Sequence, residues 1–147
     1  MKLLLAATSG GHLSEILELF GELENMEKII FTEKTVRLTA IPYKSYSYKR
    51  PHSQILTMLI SGLTACYIIL KERPDWIIST GAECGTAAII AATLLCRKTI
   101  FIETASRYRT KTIAARICYP LVDKFYVQHE EALALYGKKA EYIGGVL

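Results

Sequence analysis

The sequence predicts an α/β fold, a doubly wound parallel sheet forming one domain over residues 1–147. Three observations carry this expectation. Strand-like and helix-like segments alternate along the whole chain. Several strand candidates are apolar at every position, as strands covered on both faces are. Two strand-to-helix joins are glycine turns, Ser9-Gly10-Gly11-His12 and Gly81-Ala82-Glu83-Cys84-Gly85. Together these make the sheet Rossmann-like. A composition with 51% hydrophobic and 22% charged residues excludes a disordered chain.

Lys2 to Ala7 reads as a buried first strand. Its apolar run is too short for a signal peptide and leads straight into a glycine loop. Leu13, Ile16, Leu17 and Phe20 then follow the i, i+3, i+4, i+7 spacing of one helix face. Lys28 to Thr32 is the second strand and Thr39 to Pro42 a short third one. Pro42 to Ser53 has no periodicity, and its prolines, tyrosines and cations predict an exposed loop.

Gln54 to Glu72 predicts a long apolar helix stopped at Arg73-Pro74. Ile55 to Leu70 falls short of the roughly 20 residues that a membrane span needs, so most of this helix is expected in the core. The preceding loop is the expected membrane contact, through Tyr46, Tyr48, Lys49 and Arg50, because tyrosines and cations favour the headgroup zone. Trp76 to Thr80 is a strand, Thr86 to Cys96 a helix and Thr99 to Glu103 a strand. Lys111 to Tyr119 is a helix closed by Pro120, Lys124 to Val127 a strand, Glu130 to Tyr136 a short helix, and Glu141 to Ile143 ends the series.

Ligands of open α/β sheets bind at the carboxyl ends of the strands. Ser9 to Gly11, Gly81 to Gly85 and Glu103 to Arg109 should therefore converge on one edge. The first loop offers free N–H groups at a helix start, where an anion is favoured. It matches neither the dinucleotide nor the P-loop pattern. Two readings stand side by side: a phosphate cradle, or a tight turn with Ser9 as cap. His12 is either a general base at the loop mouth or a solvent-exposed histidine. Glu83 adds a carboxylate to the second loop. Glu103 suits a sugar hydroxyl or an ion pair with Arg107 or Arg109, and Arg107, Arg109 and Lys111 suit a diphosphate or a solvated turn.

The net charge of +4 lacks the clustering that nucleic acid demands, so no nucleic-acid partner is expected. Cys66, Cys84, Cys96 and Cys118 form no C-x-x-C pair. No metal and no cofactor is expected, and Cys66, Cys96 and Cys118 read as small buried thiols.

The stretches SGGHLSEIL, STGAECGTAAIIAA and IFIETASRYRTKTIAARICYPLVDKFYVQ resemble the acceptor-side subunit of two-subunit UDP-sugar transferases. This family serves lipid-linked oligosaccharide, capsule and exopolysaccharide assembly. The order of loops also resembles the N-terminal half of MurG-type enzymes. The resemblance implies the N-terminal half of a GT-B glycosyltransferase fold, inactive without a separate donor-binding subunit. It implies binding of a polyprenyl-diphosphate-linked sugar and docking at the cytoplasmic membrane face. By position, Ser9, Gly10, Gly11 and His12 would meet the acceptor, Gly81, Glu83 and Gly85 would form the second loop, and Glu103 and Arg107 would complete the wall. The chain departs from relatives in having Ala7-Thr8 before the first loop, and Glu83 and Thr86 in the second. Lacking the N-terminal span of eukaryotic members, it is expected to attach peripherally. The C-terminal YIGGVL is the expected partner contact. A self-contained α/β module for a nucleotide or phosphorylated metabolite, and a purely structural recruitment subunit, remain as the other readings.

Overall fold

Seven parallel strands form one sheet in a computed structural model that describes residues 1–145. They are β1 (Lys2–Ala6), β2 (Glu27–Glu33), β3 (Lys44–Tyr48), β4 (Trp76–Ser79), β5 (Lys98–Ile102), β6 (Lys124–Val127) and β7 (Ala140–Tyr142), in the spatial order β3-β2-β1-β4-β5-β6-β7. Helices α1 (Gly11–Gly21), α2 (Gln54–Glu72), α3 (Ala82–Leu94) and α4 (Ile113–Cys118) connect them. The order reverses between β1 and β4, which puts the switch point between the loops after those two strands.

Two apolar layers sandwich the sheet. On one side α1 sets Leu13 and Ile16 against Leu3, Leu5, Ile30 and Ile78. On the other, Phe31, Phe101 and Phe125 meet residues of α2, α3 and α4. Helix α3 lies close to the strands because its buried face is made of small residues, including Gly85, Ala88 and Ala92. A Cβ on Gly85 would stand 2.1 Å from Ser79 Oγ and 3.1 Å from the Ala6 carbonyl, so only glycine fits. Gly85 is therefore a packing residue inside α3, not part of an open loop.

Several expectations fail, each for a physical reason. Residues Thr39 to Pro42 are not a strand: Val36–Ala40 forms a 3-10 turn whose start is capped by the Thr35 hydroxyl. The third strand lies instead in the segment expected to be a loop, where Lys-Ser-Tyr-Ser-Tyr alternates with the period of two that an edge strand needs. Tyr48 turns into the core against Phe31 at a ring separation of 5.7 Å, and the Tyr46 hydroxyl donates to Glu72. Tyr48 is thus buried and Tyr46 half-buried, not exposed as an open loop would leave them.

The largest departure is α2. By length and composition it could cross a membrane, yet it packs beside α3 and buries its least apolar face. Thr57, Ser61, Ala65 and Ile68 point inward at helical spacing. The Thr57 and Ser61 hydroxyls donate back to the Ser53 and Thr57 carbonyls, so this face needs no outside partner. Ile55, Leu59, Leu63 and Leu70 are 57–74% exposed, which overturns the expected burial of most of the helix. Ser53 caps its start, and Arg73, left-handed at φ 49°, ends it as the sequence predicts. Cys96 is exposed rather than buried, and Cys66 is half-buried.

Candidate functional site

Because all strands run parallel, every loop leaving a strand end emerges on one edge, and there a cavity of about 530 Å³ opens. His12 from α1, Gly81, Ala82 and Glu83 from the start of α3, and Thr104, Ser106, Arg107 and Thr112 from the segment after β5 form its polar part. Met58 of α2, with Ile113, Ala114 and Ile117 of α4, forms its apolar part, and Gln54 of α2 adds a polar amide. The three loops converge as expected, and they bring His12, Gly81, Glu83 and Arg107 together.

The first and second loops use one device twice. Gly10 (φ 104°, ψ −138°) and Gly81 (φ 109°, ψ −155°) take conformations open only to glycine, and each starts a helix without a side-chain cap. Ser9 therefore does not cap α1, and Ser9, Gly10 and Gly11 shape the turn without lining the cavity. In α3 the Cys84 N–H takes the Thr8 hydroxyl at 3.4 Å, while Ala82 and Glu83 border the open space. The positive end of the α3 dipole thus faces the cavity.

Glu83 does not face it alone. Arg50 reaches Glu83 at 3.1 Å and Glu33 at 3.3 Å, joining the ends of β2 and β3 to α3. Arg50, expected at a membrane surface, is thus fixed beside the cavity, while Lys49 is exposed. Beyond Arg107, the residues Arg109, Lys111 and Arg116 line a second, shallow depression.

Glu103 is only 2% exposed and lies beneath the loop instead of in the wall. Its carboxylate accepts the Thr104 N–H (3.2 Å), the Thr112 hydroxyl (3.0 Å) and the Tyr136 hydroxyl. Glu103 thereby ties both ends of the segment that carries Arg107, and among the described residues it has no cation partner. Burial, reinforced by the Glu103 bond, pushes the Tyr136 phenol above its ordinary range. Burial, with the negative charge of Glu103 adding to it, pushes the Cys118 thiol up to about 12, leaving it inert.

Sequence reasoning missed Glu15. One carboxylate oxygen accepts the Ala105 N–H at 2.7 Å and the Gln128 amide at 2.8 Å, which joins α1 to the segments after β5 and β6. The other stands 4.0 Å from His12 Nδ1. The available signal was its position three residues after His12, on the same side of a helix. Among the described residues no cluster of three or more His, Cys, Asp or Glu could hold a metal ion. The C-terminal segment expected at a partner interface reaches residues 146–147, outside the described residues.

The chain spans 98% of its own length against MurG of Acinetobacter baumannii, with a TM-score of 0.81 at 13% identity, covering 45% of that protein. Against S. aureus MnaA, solved with UDP, the TM-score is 0.81 at 15% identity, with 99% of this chain and 45% of that one covered. The UDP-GlcNAc 2-epimerase of Neisseria meningitidis, bound to UDP-GlcNAc, gives 0.76 at 14% identity, with 99% and 46% covered. The chain therefore spans under half the length of these structures, and the likeness fixes the fold: a Rossmann-like α/β domain of the kind found in GT-B proteins such as MurG. A mouse protein described as UDP-N-acetylglucosamine transferase subunit ALG14 is 27% identical, over all of this chain and 83% of the mouse protein. The profile of the family described as oligosaccharide biosynthesis protein Alg14 like matches residues 31–146, most of the sheet and two of the cavity's three loops, and the chain belongs to that family.

Proposed function

We propose that this chain is the acceptor-binding subunit of a two-chain UDP-sugar transferase, working at the cytoplasmic face of a membrane on a polyprenyl-diphosphate-linked sugar. One observation carries the reading: the polar cavity opens directly onto apolar helix surface. Met58 of α2 and Ile113 and Ile117 of α4 line it, and one helical turn from Met58 the exposed Ile55 begins an outer apolar face of α2 that includes Leu59, Leu63 and Leu70. A diphosphate held in the cavity would leave its lipid tail along that face and in the bilayer.

The parts divide the work by chemistry. The α3 start and Arg107 supply positive potential for the diphosphate. Arg50 neutralises Glu83, so the carboxylate beside that anion does not repel it. The exposed leucines and isoleucines of α2 enter the lipid interface in the way of an amphipathic helix. His12, in the cavity wall, takes the proton from the acceptor hydroxyl as that oxygen attacks the anomeric carbon of the donor and UDP leaves. The donor belongs to a second chain. The mouse relative's description names UDP-N-acetylglucosamine, and that donor is the first to try.

The test combines this chain with its donor-binding subunit, UDP-N-acetylglucosamine and a short polyprenyl-diphosphate sugar. Transfer is expected only with both chains present. Full transfer by the donor-binding chain alone would overturn the reading, and stabilisation of this chain alone by free UDP would point to a self-contained nucleotide module.

A further inference from the structure

We propose that Glu15 is a positioning residue that sets the tautomer of His12, and so decides whether His12 can accept a proton. The inference rests on the reading of His12 as the base. Nδ1 of His12 is buried and has no hydrogen-bond partner among the described residues. The second carboxylate oxygen of Glu15 stands 4.0 Å from it, about 1 Å beyond hydrogen-bond reach. Catalytic hydrogen bonds are commonly this loose before substrate binds.

The two oxygens of Glu15 have different duties. Oε1 is saturated by the Ala105 N–H and the Gln128 amide, at 2.7 and 2.8 Å. The orientation of that amide is itself fixed, since its nitrogen also donates to the Glu103 carbonyl at 3.1 Å. Only Oε2 is left, and it faces His12. An acceptor there holds the proton on Nδ1, which leaves the lone pair on Nε2, the nitrogen free to meet an acceptor hydroxyl in the cavity. The other charged groups facing the cavity are Glu83, tied to Arg50, and Arg107. Among the described residues neither forms a hydrogen bond or ion pair with Nδ1, and Glu15 is the carboxylate that approaches it.

Glu15→Gln separates clamp from tautomer. The amide oxygen can still accept from Ala105 and Gln128, but the amide nitrogen then faces His12 and donates to Nδ1, forcing the proton onto Nε2. Nitrogen-15 NMR of the histidine rings in the full chain reads this directly, with His12→Gln identifying the signal. The expected result is an Nδ1–H tautomer in the wild type and Nε2–H in Glu15→Gln. In the two-chain assay kcat should fall about 10- to 100-fold with KM unchanged. Glu15→Asp, which keeps an acceptor, should retain the wild-type tautomer, and the wild-type tautomer itself carries the test should Glu15→Gln not fold. The same tautomer in wild type and Glu15→Gln, or an Nε2–H wild type, overturns the proposal. Undiminished transfer by His12→Gln overturns the base reading instead, and the NMR result still decides the role of Glu15.

Discussion

Helices α2 and α3 lie side by side on one face of the sheet, and both are apolar in sequence, yet they differ in how much of their apolar surface is buried. Helix α3 is buried along nearly its whole length, with Gly85, Ala88, Ile89 and Ala92 packed on the strands. Helix α2 turns Thr57, Ser61 and Ala65 inward and leaves Ile55, Leu59, Leu63 and Leu70 in solvent. Burial of the larger side chains would gain more, at about 1.5–3 kcal/mol per leucine or isoleucine. The fold forgoes that gain in α2 and leaves an exposed apolar face of the kind that marks interaction surfaces, the face that the proposed function assigns to lipid.

The sharpest way to break the comparison is to make the outer face of α2 polar. A chain carrying Leu59→Glu and Leu63→Glu loses two residues that are 57% and 72% exposed. At roughly 1.5 kcal/mol each, their contribution to lipid binding is about 3 kcal/mol, close to a 100-fold drop in partitioning to anionic vesicles. Sedimentation with such vesicles measures this, and unfolding free energy should stay within about 0.5 kcal/mol of wild type. Unchanged vesicle binding together with lost stability would make α2 an ordinary core helix.

A glycine in each helix gives the next contrast. In α3, Gly85→Ala drives a methyl into Ser79 Oγ and the Ala6 carbonyl, and should cost about 1–3 kcal/mol by overpacking. In α2, a Cβ on Gly62 meets nothing within 4 Å, so Gly62→Ala should raise stability by about 0.5–1 kcal/mol through helix propensity. Urea unfolding of the two variants checks both signs. Equal effects would mean that the helices are packed alike.

What could be read from the sequence follows the same division. Alternating patterns and glycine turns report local backbone demands, so the doubly wound alternation of strands and helices, the repeated Gly10 and Gly81 device, and the meeting of His12 with Gly81, Glu83 and Arg107 were legible. The face a helix buries is a tertiary choice. Both faces of α2 are apolar enough to be core, and no pattern within Gln54 to Glu72 says that its small residues would win. Tyr48 misled for a related reason: in an edge strand the alternation is short, and the flanking cations mask it. Glu103 and Glu15 were opaque because their partners, Tyr136, Thr112, Gln128 and Ala105, come from distant segments.

The smallest expected effect concerns what keeps α2 turned outward. Glu72, the last residue of the helix, accepts from Lys44 at 2.5 Å and from Tyr46, both on β3, with Lys2 of β1 at 3.6 Å. The Lys44 and Tyr46 bonds pull its carboxyl down from an ordinary 4.5 to about 2. A carboxyl whose pKa is lower folded than unfolded stabilises the fold fully above the unfolded value, and this is lost as pH falls toward the folded value. The window is therefore between about pH 4.5 and about pH 2. Lys44 is half exposed, so salt screens the pair and its contribution is modest. Glu72→Gln should be less stable than wild type at neutral pH, with the difference shrinking through that window in an acid titration followed by circular dichroism. A difference that persists unchanged below it would mean that Glu72 holds α2 to β3 by packing alone, since neither Gln nor a protonated Glu carries the charge that Lys44 reads.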